Sequence, residues 1–233
     1  MDFHTPLICA TLLRRYKRFL ADVKLEDGRE VTAHVANPGS MLGMKDEGMA
    51  VWLEPNDDPK RKLNYSWKLV EVGEATVVVD TAAANKVVGE ALRAGAIGPL
   101  AAYSDVRAEI KYGENSRIDF LLQGEGLPDC YVEVKSVTLS RQAGLAEFPD
   151  SVTKRGTKHL RELSAMVAEG HRAVMLYLVQ RDDCTRFALA ADIDAEYARA
   201  MVAARQTGVE ALCFATKPTP LGVNLVEELP IYI

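Results

Sequence analysis

Residues 116–122 (SRIDFLL) and 130–137 (CYVEVKSV) alternate apolar with polar side chains and are rich in β-branched and aromatic residues, the pattern of two strands. The segment between them, 123–129, holds two glycines and a proline, so the simplest connection is a hairpin with a longer loop. Side chains at i and i+2 share one face of a strand, so Glu133 and Lys135 project together while Val132, Val134 and Ser136 project the other way. Pairing the two strands brings Asp119 to the same edge. A chain with this hairpin is expected to fold around a sheet that carries two carboxylates and an ammonium at one point.

That trio has a chemistry. Hard divalent cations such as Mg2+ and Mn2+ take carboxylate oxygens, keep several waters, and accept substrate phosphate as a further ligand. A lysine beside them balances phosphate charge and orients or deprotonates the attacking water. Asp119, Glu133 and Lys135 therefore stand as a candidate catalytic set for phosphodiester hydrolysis. A salt bridge between Glu133 and Lys135 on a solvated strand face fits the same spacing without any metal.

The chain has 233 residues, 48% of them hydrophobic and 26% charged, enough for one large domain or two small ones, each with its own core. No apolar run approaches the ~20 residues of a membrane span, and Arg14 and Arg15 follow too soon after a short, Pro-interrupted start for a signal peptide. A cytoplasmic protein with no membrane partner is expected. Cys9, Cys130, Cys184 and Cys213 are scattered and form no C-x-x-C pair, which points away from zinc or dithiol chemistry. The net charge of −5 excludes coating of nucleic acid through bulk charge, so any contact has to use local patches.

Residues 1–81 read as short strands: 13–25 and 30–36 about a turn at Glu26-Asp27-Gly28, then 49–53, 63–70 and 75–79, punctuated by Pro, Gly and Asn. Five such strands fit a small OB-like barrel, and equally a compact sandwich. Arg14, Arg15, Lys17 and Arg18 with Tyr16 and Phe19, and Lys60 and Arg61 near Tyr65 and Trp67, interleave cations with rings as single-strand binders do. The rings also suit the barrel core, with the charges facing water. His34 and the 37–41 run read as a turn and its neighbour.

Residues 82–233 read differently. Residues 83–94 have helical spacing with Val87, Val88, Ala91 and Leu92 on one face, and Gly95 as a stop. Residues 105–112 read as a strand, the hairpin follows, and then a loop through Gln142 and Gly144. A helix capped by Asp150 or Ser151 runs to about 168, with Val152, Leu160, Leu163 and Val167 inward. Residues 173–179 are a strand buried on both faces, 195–205 a helix, 209–215 a strand, and 223–233 a last extended piece. On the second helix Arg155 and His159 are four apart with Lys158 adjacent, suited to a DNA backbone or to plain surface charge. Gly156 between them predicts the close approach of another backbone.

Asp119 followed by Glu133-Val134-Lys135 resembles the PD-(D/E)xK nuclease signature, without the proline that precedes the first acid. Longer runs, RYKRFLADV (15–23), SRIDF (116–120), YVEVK (131–135), FPDSVT (148–153), and Arg155-Gly156 with Lys158-His159-Leu160, resemble the sugar fermentation stimulation protein (SfsA) family. The resemblance implies an OB-like N-terminal barrel followed by a PD-(D/E)xK nuclease-like α/β domain, a central mixed sheet flanked by helices. It implies DNA as partner and Mg2+ or Mn2+ as cofactor. The ion would be held by Asp119, Glu133 and the Val134 carbonyl, with Glu90 on the first helix as an additional acid. Glu109, on one face with Arg107 and Lys111, competes for that place, and Asn85 caps or decorates the helix. Two other readings stand beside the nuclease: a non-catalytic DNA-binding regulator of sugar metabolism that keeps the fold, and an RNA-processing enzyme.

Overall fold

The computed structural model describes residues 1–113 and 116–233. Its first part is six strands: β1 (Ile8–Tyr16), β2 (Leu20–Leu25), β3 (Glu30–Val35), β4 (Ala50–Pro55), β5 (Tyr65–Val72) and β6 (Ala75–Val78). They lie in the order β3-β2-β1-β4-β5-β6, and a parallel pairing of β3 with β5 at His34↔Ser66 and Val35↔Trp67 closes the first five into an OB-like barrel. Period-two alternation does this: Ala21, Val23 and Leu25 of β2 all point inward, where Trp67 is fully buried.

The second part runs α1 (Ala83–Arg93), a 3-10 turn (Gly98–Leu100), β7 (Asp105–Tyr112), β8 (Ser116–Gln123), β9 (Cys130–Val137), β10 (Leu139–Gln142), β11 (Gly144–Phe148), α2 (Lys154–Ala168), β12 (Arg172–Val179), β13 (Cys184–Leu189), α3 (Ala195–Thr207), β14 (Glu210–Thr219), β15 (Gly222–Glu228) and β16 (Ile231–Tyr232). The central sheet is mixed, in the order β15-β14-β12-β9-β8-β7, with β14, β12 and β9 parallel and the outer strands antiparallel. The apolar run of β12 explains its place in the middle. Val174, Leu176 and Leu178 pack toward α1 with Val132 and Val134, while Ala173, Met175, Tyr177 and Val179 pack toward α2 and α3 with Leu160, Leu163 and Tyr197.

Three expectations are corrected. Residues 139–148 are a hairpin, β10 and β11, which joins β13 and β16 in a second sheet of order β10-β11-β13-β16. Four and five residues with polar Arg141 and Gln142 exposed give no alternation to read. What holds them is Arg141, which donates to Glu147 Oε1 and to Asp192 Oδ2, both at 2.6 Å. The cap of α2 is Thr153, whose hydroxyl accepts from the Gly156 N–H at 3.1 Å; Val152 lies outside the helix and is 66% exposed. Asp150 is engaged elsewhere, accepting from the Ser40 N–H at 2.9 Å and so tying the barrel to the start of α2.

The third concerns Gly156, where side chains, and no second backbone, crowd the position. A Cβ there would stand 2.9 Å from Thr153 Oγ1 and 3.0 Å from Tyr197 Cε2, and Tyr197 is fully buried. Gly156→Ala would gain roughly 1 kcal/mol of helix propensity on an exposed helix, against about 1–3 kcal/mol for overpacking here. The expected result is a Tm lower by about 2–4 °C per kcal/mol of net loss, read by circular dichroism. A melt at or above wild type contradicts this packing.

Candidate functional site

β8 and β9 pair only at Phe120↔Val132, Leu121↔Tyr131 and Leu122↔Cys130. Asp119 occupies the gap where the ladder stops. Its Oδ2 accepts from the Val134 N–H at 2.7 Å and its Oδ1 from Asn85 Nδ2 of α1 at 2.6 Å. The N–H and C=O of one strand residue point to the same edge, so the Val134 carbonyl opens into the same gap.

Glu133 and Lys135 share a face of β9, as alternation requires, but α2 covers that face. Glu133 is only 3% exposed, so the salt bridge with Lys135 that the spacing also allowed is formed, and formed in the interior. Its Oε1 accepts from Lys135 Nζ at 2.7 Å and faces His159 Nδ1. Its Oε2 is buried without a hydrogen-bond partner among the described residues. An ionised carboxylate oxygen left bare in the interior is costly, and a cation is the natural group to satisfy it.

The two acids feel different fields. Burial, and after it the charge of Glu133, pushes Asp119 up to about 6 against the Val134 N–H and Asn85. Burial also works on Glu133, but the hydrogen bond from His159 and the Lys135 charge outweigh it and hold this carboxyl below the ordinary range. Tyr112 lies close behind, its phenol kept protonated by burial and then by the charges of Glu133, Glu162 and Asp119.

The donor set fits a hard divalent ion. Among the described residues no group of three or more His, Cys, Asp and Glu side chains stands ready to cage a metal. Two carboxylates and a carbonyl, completed by water and phosphate, are what Mg2+ accepts. Glu90 does not join them: its carboxylate pairs with the N-terminal ammonium at 2.8 Å and is 57% exposed. Glu109 is exposed on the edge strand β7.

Residues 82–222 match the model of the sugar fermentation stimulation protein RE domain, and residues 13–79 that of the SfsA N-terminal OB domain. The chain belongs to the sugar fermentation stimulation protein family. A homolog from Ruegeria sp. (strain TM1040) is 65% identical over 99% of this chain and 100% of its own length, and one from Ruegeria pomeroyi is 63% identical over 98% and 100%. The structure of Pyrococcus furiosus SfsA in complex with Ca2+ superposes with a TM-score of 0.90 at 24% identity, covering 100% of this chain and 98% of that one, a likeness of fold.

In this SfsA-family protein the basic residues divide. Arg15 turns inward, its Nη2 donating at 2.8 Å to the carbonyls of Arg18 and Asn37, so it braces the barrel loop. Arg14 pairs with Asp22 at 2.8 Å. Lys17 and Arg18 are exposed on the β1–β2 turn, and Lys60 and Arg61 on the β4–β5 loop. Arg61 lines a cavity of about 520 Å3 with His34, Lys62, Lys68, Asp80 and Lys86. Arg155 and Lys158 are exposed on α2, and Lys158 donates to Ser116 Oγ at 3.0 Å. His159, expected on a DNA surface, is 3% exposed and sits behind Glu133. The spacing of Gly156, His159, Leu160 and Leu163 already placed it on the buried stripe of α2. Asn85 carried no comparable signal.

Asp119 gives a pH test. Its folded value of about 6 lies above the ordinary 3.8, so the native state keeps a proton that the unfolded chain releases between about pH 4 and 6. Its contribution to stability therefore falls as pH rises through that window. In chelator at pH 7.5, Asp119→Asn should stabilise the protein by on the order of 1–3 kcal/mol, a gain that vanishes near pH 4. Thermal melts across pH check it; a variant less stable than wild type at pH 7.5 counts against a buried charge here.

Proposed function

We propose that this protein binds DNA and hydrolyses its phosphodiester bonds with Mg2+ or Mn2+ at Asp119, Glu133 and Lys135. The observation that carries the reading is the bare, buried Oε2 of an ionised Glu133, beside an Asp119 that burial and a neighbouring charge leave under-compensated. The Ca2+ in the Pyrococcus furiosus SfsA structure is a hard cation with the same preference for oxygen, which supports a divalent site in this family member too.

Asp119, Glu133 Oε2 and the Val134 carbonyl would hold the ion. A bound Mg2+ or Mn2+ supplies Lewis-acid stabilisation of phosphate charge and lowers the pKa of attacking water. Lys135, held through Glu133 Oε1, keeps an ammonium beside the reacting phosphate. Asn85 and the Val134 N–H fix the Asp119 carboxylate. Arg155 and Lys158 on α2, and Lys17, Arg18, Lys60 and Arg61 on the barrel, offer phosphate contacts on a chain of net charge −5.

The experiment is cleavage of labelled single-stranded DNA, double-stranded DNA and RNA with Mg2+, Mn2+ or chelator, alongside fluorescence anisotropy for binding. Cleavage in Mg2+ or Mn2+ is expected to stop in chelator and to fall at least 100-fold or so in Asp119→Ala and Lys135→Ala, with DNA affinity kept or increased in Asp119→Ala. Cleavage undiminished by chelator overturns the mechanism. Binding with no cleavage under any metal favours the regulator.

A further inference from the structure

We infer that His159 is a positioning residue for this centre: its Nδ1–H anchors Glu133 Oε1, so that Oε2 is the oxygen presented to a divalent cation. The inference rests on the metal-dependent reading above and deepens it by giving the buried histidine a task.

Hydrogen-bond arithmetic assigns the ring. Arginine has only donors, and Arg155 Nε stands 3.2 Å from His159 Nε2. That nitrogen therefore accepts, and the proton of the ring sits on Nδ1, which faces Glu133 Oε1. Lys135 Nζ lies 3.3 Å from the same Nδ1, where two donors meet, so its bond runs to Glu133 Oε1 at 2.7 Å. One carboxylate oxygen thus carries two donors, while the other is buried and bare among the described residues.

The helix makes this placement rigid. Thr153 caps α2, Gly156 lets its first turn close against Tyr197, and Leu160 and Leu163 are buried on the same stripe as His159. At 3% exposure His159 has no route to a strand of nucleic acid. Arg155 joins surface to site: its Nε donates to the histidine, and the residue as a whole is exposed. A carboxylate held by one oxygen does not exchange its two oxygens by rotation, so the ion meets a fixed ligand. Partners that orient a ligating carboxylate set metal affinity as the ligand itself does.

The test is Mn2+ binding by electron paramagnetic resonance on metal-free, full-length protein without nucleic acid. In His159→Asn the amide nitrogen takes the place of Nδ1 and still donates to Glu133. In His159→Gln it reaches the place of Nε2, near Arg155, and leaves Glu133 Oε1 to Lys135 alone; His159→Ala removes both histidine contacts. Weakening of about 10–100-fold is expected for Gln and Ala, and recovery to within about threefold of wild type for Asn. Circular dichroism confirms folding, and the comparison of Asn with Gln decides the matter should Ala fail to fold. Wild-type affinity in Gln, or Asn as weak as Gln, overturns the role of His159 while leaving the metal reading intact. Absence of Mn2+ binding in wild type removes the metal reading, and this one with it.

Discussion

A carboxylate on the middle strand of a sheet covered on both faces is the constraint from which the rest of the second domain follows. Glu133 lies on β9, between β8 and β12, with α1 over one face and α2 over the other. A charge there costs several kcal/mol unless cations and donors surround it. Lys135 comes free from the strand period, two residues along. His159 has to be brought by α2, which fixes where that helix starts and how closely it lies. Asp194, buried at 4% exposure, governs both helix starts: its Oδ1 accepts from the Tyr197 N–H at 3.0 Å and caps α3, and its Oδ2 accepts from the Thr153 N–H at 2.8 Å. Thr153 then caps α2, and the hydroxyls of Tyr197 and Tyr177 meet at 2.6 Å beneath it. The capping pattern of two helices and the electrostatics of one glutamate are a single structural problem.

The barrel is fastened to this arrangement through the same segment. Arg15 holds the carbonyls of Asn37 and Gly39, the Asn37 amide donates to the Val79 carbonyl at 3.0 Å, and Ser40 grips Asp150 just before α2. A cation that the sequence offers to a ligand is thus used to shape a loop, because a guanidinium with several carbonyls in reach loses less by burial than a lysine would. The exposed cations Lys17, Arg18, Lys60, Arg61 and Lys62 lie on two turns of the barrel; Arg14, Lys24, Arg29 and Lys45 are exposed elsewhere on it, Arg14 and Arg29 paired with Asp22 and Asp27.

The fold was legible wherever periodicity was strong. The β12 run, the β8–β9 hairpin and the barrel strands each announced their burial through spacing alone, and Glu133 and Lys135 were placed on one face correctly. Elements held by single polar contacts were not legible: the β10–β11 hairpin depends on Arg141 reaching Glu147 and Asp192, 6 and 51 residues away. Asp150 has the right identity and position for a cap and was diverted by Ser40, a partner 110 residues distant. Long-range bonds of this kind leave no local pattern. Glu90 illustrates the opposite error, since a helix residue of suitable type was assigned to the site although the apolar face at Val87, Val88, Ala91 and Leu92 already turned it outward.

The unequal state of the two acids then has a physical meaning. Glu133 is hydrogen-bonded by an ammonium and an imidazole N–H, whereas the hydrogen bonds to Asp119 come from an amide and a backbone N–H, both neutral, and the Lys135 charge is a lesser help. Neutral donors offset part of the desolvation of a carboxylate and none of the repulsion from its neighbour. The two carboxylates together face one ammonium, and among the described residues Glu133 Oε2 is buried without a hydrogen-bond partner. A cation bound by both acids would offset the remaining charge, and by mass action it would stabilise the folded chain with the logarithm of its concentration over its Kd. A neutral donor from another side chain would not do so, because it pairs one oxygen and leaves the repulsion between the two acids in place.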